Sequence, residues 1–160
     1  MTVVVWDGTT LSTDKMANDG SLKWESSKAW HTTINRKPVI ISGVGLLQHI
    51  VFLREWLKKG GRVEDYPRHI LNQHHSHQLI LVKSDGLWVY EGVPVPVRRG
   101  FTPCAFGHGK DFAYGALAMG ADSVKAVEVA NDCSLQCGKG VQSFNTIELK
   151  IIESKNKEIN

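Results

Sequence analysis

Residues 2–14 read Thr2-Val3-Val4-Val5-Trp6-Asp7-Gly8-Thr9-Thr10-Leu11-Ser12-Thr13-Asp14. Two short runs rich in apolar and β-branched residues flank Asp7-Gly8, and Asp-Gly between such runs is a strong hairpin signal. The reading puts Thr2 at the first residue of one strand and Asp14 at the end of its partner. A hairpin can bring those two ends together, so a hydroxyl and a carboxylate twelve residues apart can meet.

Outward from the hairpin, Met16 to Ser27 is polar, with a turn at Asn18-Asp19-Gly20. Val39-Ile40-Ile41-Ser42 reads as a buried strand, stopped by Gly43-Val44-Gly45. Leu46, Ile50, Leu53 and Leu57 then share a helical face, ended by Lys58-Lys59-Gly60-Gly61. Residues 78–83 and 87–90, joined by Ser84-Asp85-Gly86, form a second hairpin, and Val93 to Cys104, with three prolines, reads as irregular or an edge. Helices are expected over Asp111–Met119 and Ser123–Asp132, then a strand over Val141–Ile152 and a polar tail over Glu153–Asn160. Strands gathered in hairpins imply antiparallel sheets covered by helices. One domain over 1–152 with a tail over 153–160 is the expected organisation.

The chain has 160 residues, 42% hydrophobic and 22% charged, with a formal net charge of +3. A chain of this length buries about 70% of the surface its unfolded form exposes and needs no covalent staple. The mild basicity comes with no arginine-rich stripe or RNA-binding aromatic motif, so nucleic acid is not an expected partner. No stretch reaches the ~18 apolar residues of a membrane span, and the first residues lack a secretion-signal pattern. With three cysteines, Cys104, Cys133 and Cys137, the expected setting is a reducing cytoplasm.

Several motifs hint at chemistry. His74-His75-Ser76-His77 has the look of a metal-ligand run, but no second ligand group stands at a recognised spacing, and neighbouring histidines on a strand face opposite ways. A loop or strand-edge role is the plainer reading. Gly107-His108-Gly109-Lys110 and Gly138-Lys139-Gly140 lack the spacing and the Ser or Thr of a phosphate-binding loop. Thr2 differs, because it can carry its own base. Removal of Met1 would free an α-amine on the residue that holds the hydroxyl, with an unperturbed pKa of about 8 that a nearby lysine charge lowers. Such a site needs a lysine and a carboxylate near Thr2. Asp14 and Lys28 supply them, with Asp19 and Lys23 as fallbacks.

Four stretches then carry a likeness: Thr2-Val3-Val4-Val5-Trp6-Asp7-Gly8 with Leu11-Ser12-Thr13-Asp14-Lys15; Leu22 to Trp30; Ile41-Ser42-Gly43-Val44-Gly45; and Phe106-Gly107-His108-Gly109-Lys110-Asp111-Phe112-Ala113 continuing to Ala121. In this order and spacing, and with Ala126-Val127-Glu128-Val129-Ala130, the chain resembles the proteasome β-type family of N-terminal nucleophile hydrolases. Within it, the likeness is to short stand-alone members related to the bacterial two-component peptidase and found in phage genomes. The resemblance implies an α+β, four-layer α-β-β-α sandwich of two antiparallel sheets, and peptide-bond hydrolysis with Thr2 as nucleophile. Lys28 matches the lysine that tunes the amine, Asp14 the acid that holds it, and Gly45 the backbone oxyanion donor. Gly107-His108-Gly109 stands where the family has glycine-serine-glycine, so His108 replaces a supporting serine; a later acid and serine align with Ser134 and Cys137.

A homo-oligomeric ring, a peptide or unfolded-protein substrate and an AAA+ ATPase partner also follow from the resemblance, with no cofactor beyond a monovalent cation near Asn131, Ser134 and Cys137. The helices at Leu46–Lys59 and Phe112–Met119 are the expected subunit contacts. Cytoplasmic location, in a host if the chain is phage-encoded, completes the expectation. Two other readings stand against the peptidase. The three substituted positions favour a non-catalytic assembly or inhibitory module, and the histidine run a metal-binding domain.

Overall fold

A computed structural model describes residues 2–68 and 77–158, which form two compact units, Met1–Ala29 with Phe101–Phe144 and Trp30–Gly100 with Asn145–Asn160. In the first unit, β1 (Val3–Trp6) lies between β2 (Thr10–Asp14) and β10 (Cys104–Gly107), with β11 (Val141–Asn145) beyond β2. Both of β1's pairings are antiparallel; Val4 faces Thr13 on one side and Phe106 on the other. The turn forms where Asp7-Gly8 predicts it. The Asp7 carboxylate accepts from the Thr9 and Thr10 amides at 2.9 and 2.8 Å, the Asx pattern that stands in for a backbone turn. Gly8 adopts φ 99°, and a Cβ there would lie 2.7 Å from the Phe101 carbonyl oxygen, so only glycine fits.

Two helices, α2 (Lys110–Ala118) and α3 (Ser123–Cys133), pack on this sheet. Asp122 caps α3 by accepting from the Lys125 amide at 2.8 Å. The second oxygen of Asp7 accepts from the Ser123 amide at 2.8 Å, tying the hairpin turn to the start of the helix. The core between helices and sheet is built from small side chains: Val3, Val5, Ala105, Ala113, Ala126, Val127, Ala130 and Cys137. Small residues let backbones approach closely, and Gly109 marks one such approach. A Cβ there would sit 2.8 Å from Cys137 Sγ and 2.9 Å from Val3 Cβ.

The second unit holds a five-stranded sheet in the order β5 (Ala29–Ile34), β6 (Lys37–Val44), β7 (Gln78–Lys83), β8 (Gly86–Tyr90) and β9 (Val97–Gly100). α1 (Leu47–Lys58) and α4 (Thr146–Glu158) both pack on β6 and β7. Its core is of large side chains, with Trp56 meeting Tyr66 and Tyr90 edge to face at 5.0 and 5.5 Å.

The α+β class and antiparallel sheets agree with the sequence reading, and several elements differ from it. The polar stretch after Asp14 contains a hairpin of β3 (Met16–Asn18) and β4 (Lys23–Glu25). β6 runs through Gly43 to Val44 instead of stopping at Ser42, because Gly43 pairs with Leu79 inside the ladder. The strand expected over Val141–Ile152 ends at Asn145, whose side chain accepts from the Ile147 amide at 2.8 Å and starts α4. That helix takes in the stretch from Glu153 to Glu158 expected as a tail; Ile159 and Asn160 lie outside the described residues, as does Met1.

Candidate active site

The first unit gathers a polar cluster around Asp14, which is fully buried. The Thr2 hydroxyl donates to Asp14 Oδ1 at 3.1 Å, and Lys28 Nζ donates to both carboxylate oxygens at 2.9 Å. Three backbone amides complete the cage: Val3 to Oδ1 at 3.0 Å, Met16 and Gly138 to Oδ2 at 3.2 and 3.3 Å. A carboxylate out of water needs compensation of this kind. Thr2 and Lys28 are themselves buried, at 4% and 8% exposure. Hairpin geometry delivers Thr2 and Asp14, since Thr2 directly precedes β1 and Asp14 ends its partner β2.

Lys28 arrives by a different route. Gln142 on β11 accepts from the Lys28 and Ala29 amides at 3.1 and 3.3 Å and donates to the Ala29 carbonyl at 3.1 Å. The glutamine thus pins the backbone at Lys28 like a short piece of strand. Sequence reading missed both Gln142 and the Gly138 amide; each lies more than a hundred residues from its partner and carries no local signal.

Burial pulls the Lys28 ammonium below the ordinary lysine range, with the Asp14 carboxylate opposing that shift. Cys137, packed beneath Gly109, is pushed the other way. Burial, then the Asp14 charge, raises its thiol to about 11, against the weaker pull of the Ser134 hydroxyl and Lys28. At neutral pH Cys137 is a protonated thiol, not a competing nucleophile.

Of the other predicted positions, Ser134 caps the end of α3 and accepts the Gln136 amide on its hydroxyl at 3.2 Å. His108 is exposed in the turn between β10 and α2, next to Gly109, whose amide donates to the Thr2 carbonyl at 3.5 Å. Asn131 donates to the Gly140 carbonyl at 3.1 Å. Among the described residues no group of three or more His, Cys, Asp or Glu side chains is arranged to hold a metal. Gly45 belongs to the second unit, exposed at φ 123° in the bend from β6 into α1. The fallback pair separates from the cluster: Asp19 is spent on its own turn, accepting from Ser21 and Leu22, and Lys23 is exposed on β4. His74, His75 and Ser76 lie outside the described residues.

No protein-family model matches the chain, and no curated protein matches it. Solved structures do. The BPH protein of Thiobacillus denitrificans in complex with epoxomicin superposes with a TM-score of 0.67 at 16% identity, over 90% of this chain and 97% of that one. HslV of Trypanosoma brucei superposes with a TM-score of 0.61 at 19% identity, over 89% of this chain and 97% of that one. The likeness shows the fold: α+β, antiparallel sheets with helices, in agreement with the class that the resemblance implies.

Proposed function

We propose that the chain is a threonine-type peptidase in which Thr2, freed at its amine by removal of Met1, is the nucleophile. The observation that carries this reading is the Asp14 cage, which gathers a hydroxyl and a lysine ammonium onto one fully buried carboxylate. A structural ion pair alone has no need of a hydroxyl at the second residue. The superposition on a protein bound to epoxomicin supports the same reading.

In this scheme the Thr2 amine takes the hydroxyl proton as Oγ1 attacks the substrate carbonyl carbon. Lys28, held by Asp14, keeps the amine's pKa low enough for it to be neutral. By the resemblance, the oxyanion donor as charge develops is the Gly45 amide. The C–N bond breaks, the amine returns the proton to the leaving nitrogen, and water then hydrolyses the threonine ester by the reverse sequence. Peptides or unfolded chains are the substrate class. A closed ring of copies in the cytoplasm, fed by an AAA+ ATPase, is the assembly, with α1 and α2 as subunit contacts; no cofactor takes part, save a cation held by carbonyls near Asn131, Ser134 and Cys137.

The second reading is a non-catalytic assembly or inhibitory module of the same fold. It is favoured by the exposed His108 and the protonated Cys137, which stand at two of the three positions where the resembled family has supporting groups. An epoxyketone probe separates the two. Mass spectrometry of the Met1-free protein should find it bonded to Thr2; an unlabelled Thr2 in such protein, still folded, rejects the peptidase and leaves the module.

A further inference from the structure

Lys28 carries its ammonium into the site from a stretch that no strand holds: β4 ends at Glu25 and β5 begins at Ala29. A lysine side chain is a flexible four-carbon stem, so the place of its ammonium depends on how firmly the backbone beneath it is held. Two anchors hold it here. The Ser26 amide donates to the Lys15 carbonyl at 2.8 Å, which ties the stretch to the residue after Asp14. At Lys28 itself the anchor is the Gln142 side chain, whose Oε1 takes the Lys28 and Ala29 amides while Nε2 donates to the Ala29 carbonyl.

We propose that Gln142 is a positioning residue of this site, holding the Lys28 ammonium in reach of Thr2 and Asp14 through the backbone of residues 28 and 29. Its consequence for catalysis rests on the peptidase reading; the placing of Lys28 does not. The chemistry of the side chain suits the task. The backbone offers two donors and one acceptor in a row, and a primary amide meets both kinds at once. Turned over, that amide would set its own N–H groups against two others, so the hydrogen bonds fix its orientation. A carboxylate in its place would accept from both amides but repel the Ala29 carbonyl, and its charge would compete with Asp14 for Lys28.

The place of Gln142 in the chain matters as much. Four residues earlier on the same segment, the Gly138 amide donates to Asp14 Oδ2 at 3.3 Å, and the Gly138 carbonyl accepts from the Lys15 amide at 3.0 Å. Residues 138–142 therefore hold both partners of the buried ion pair, the carboxylate at one end and the backbone of the lysine at the other. The 2.9 Å separation of Lys28 Nζ from Asp14 Oδ1 is thus set against one short piece of chain. A shift of a catalytic group by about 1 Å costs roughly 100-fold in rate, so loosening this segment at Gln142 should be felt at Thr2.

The Met1-free full chain is compared with Gln142→Leu and Gln142→Glu, each checked by circular dichroism, and with Leu53→Ala as the control for lost stability alone. One measurement is the rate of Thr2 modification by an epoxyketone as a function of pH. The other, which needs no peptidase activity, is acetylation of Lys28 by trace acetic anhydride, read by peptide mass mapping against the exposed Lys23. Gln142→Leu should label roughly 100-fold more slowly. With three hydrogen bonds lost, the stretch should open more often and Lys28 acetylation should rise at least about 10-fold. Gln142→Glu keeps both amide contacts but adds a negative charge that favours the protonated Thr2 amine, so its labelling profile should move to higher pH. Leu53→Ala should change neither measurement. If the parent itself stays unlabelled the peptidase reading falls, and the acetylation of Lys28 still decides whether the glutamine places the lysine. A folded Gln142→Leu protein whose Lys28 is acetylated as slowly as in the parent, or which labels at the rate of a labelling parent, would overturn the proposal.

Discussion

The two units solve the same problem with opposite materials. The second fills its core with Ile41, Ile50, Leu53, Trp56, Leu79 and Tyr90, large side chains whose burial alone is strongly stabilising. The first fills the space between sheet and helices largely with valine and alanine, and puts beside it a fully buried carboxylate, a lysine, a threonine and a thiol. Small side chains bring backbone amides near enough to cage Asp14: Val3, Met16 and Gly138 all donate to it. A core of large side chains would hold those amides apart. The difference teaches that the polar cluster and the alanine-rich packing are one feature, so disturbing either should damage the other.

The comparison breaks most severely at Asp14. Asp14→Ala leaves the Lys28 ammonium and three amides buried without their acceptor, and breaking a buried pair from one side costs about 3–5 kcal/mol. Urea unfolding of the variant should show that loss. Leu53→Ala in the second unit should cost a comparable amount, about 2–5 kcal/mol, by leaving a cavity. It should nevertheless leave the reactivity of Thr2 towards an epoxyketone unchanged at temperatures where the variant is folded. Gly109→Ala comes next. Its methyl would meet Cys137 Sγ and Val3, and overpacking of this kind costs about 1–3 kcal/mol, read as a lowered unfolding midpoint.

Cys137 offers the finest test. Its thiol is raised from 9.0 to about 11, so the folded chain keeps a proton that the unfolded chain releases over that interval. The contribution of this group to stability is therefore full below pH 9 and falls as pH rises towards 11. At a pH of about 8, iodoacetamide should modify the exposed Cys133 readily and Cys137 only on unfolding, as peptide mass mapping will show.

How much of this was legible in the sequence follows from how local each signal is. Asp7-Gly8 and the flanking valines are neighbours, so the hairpin, its ends at Thr2 and Asp14, and their approach could be read directly. The period of Leu46, Ile50, Leu53 and Leu57 likewise gave α1 to within a residue or so at either end. Reading failed where a single side chain overrides a pattern. Asn145 turns an apolar, strand-like run into α4, and β3 and β4 are too short and polar to show a period. Contacts between distant segments were out of reach altogether: Gln142 at Lys28, the Gly138 amide at Asp14, and His49 against His77. The choice of Lys28 over Lys23 rests on chain order and on the family resemblance, since nothing in its flanks distinguishes a buried lysine from a solvated one.

The central claim is that Lys28 serves the chemistry of Thr2 and is not merely a counter-ion for Asp14. The rate at which an epoxyketone or boronate probe modifies Thr2 in the Met1-free protein measures this directly, compared among the parent, Lys28→Ala and Lys23→Ala, with circular dichroism to confirm that each is folded. Labelling should disappear in Lys28→Ala and persist at the parental rate in Lys23→Ala, whose lysine is exposed on β4. A folded Lys28→Ala protein that labels as fast as the parent would contradict the account.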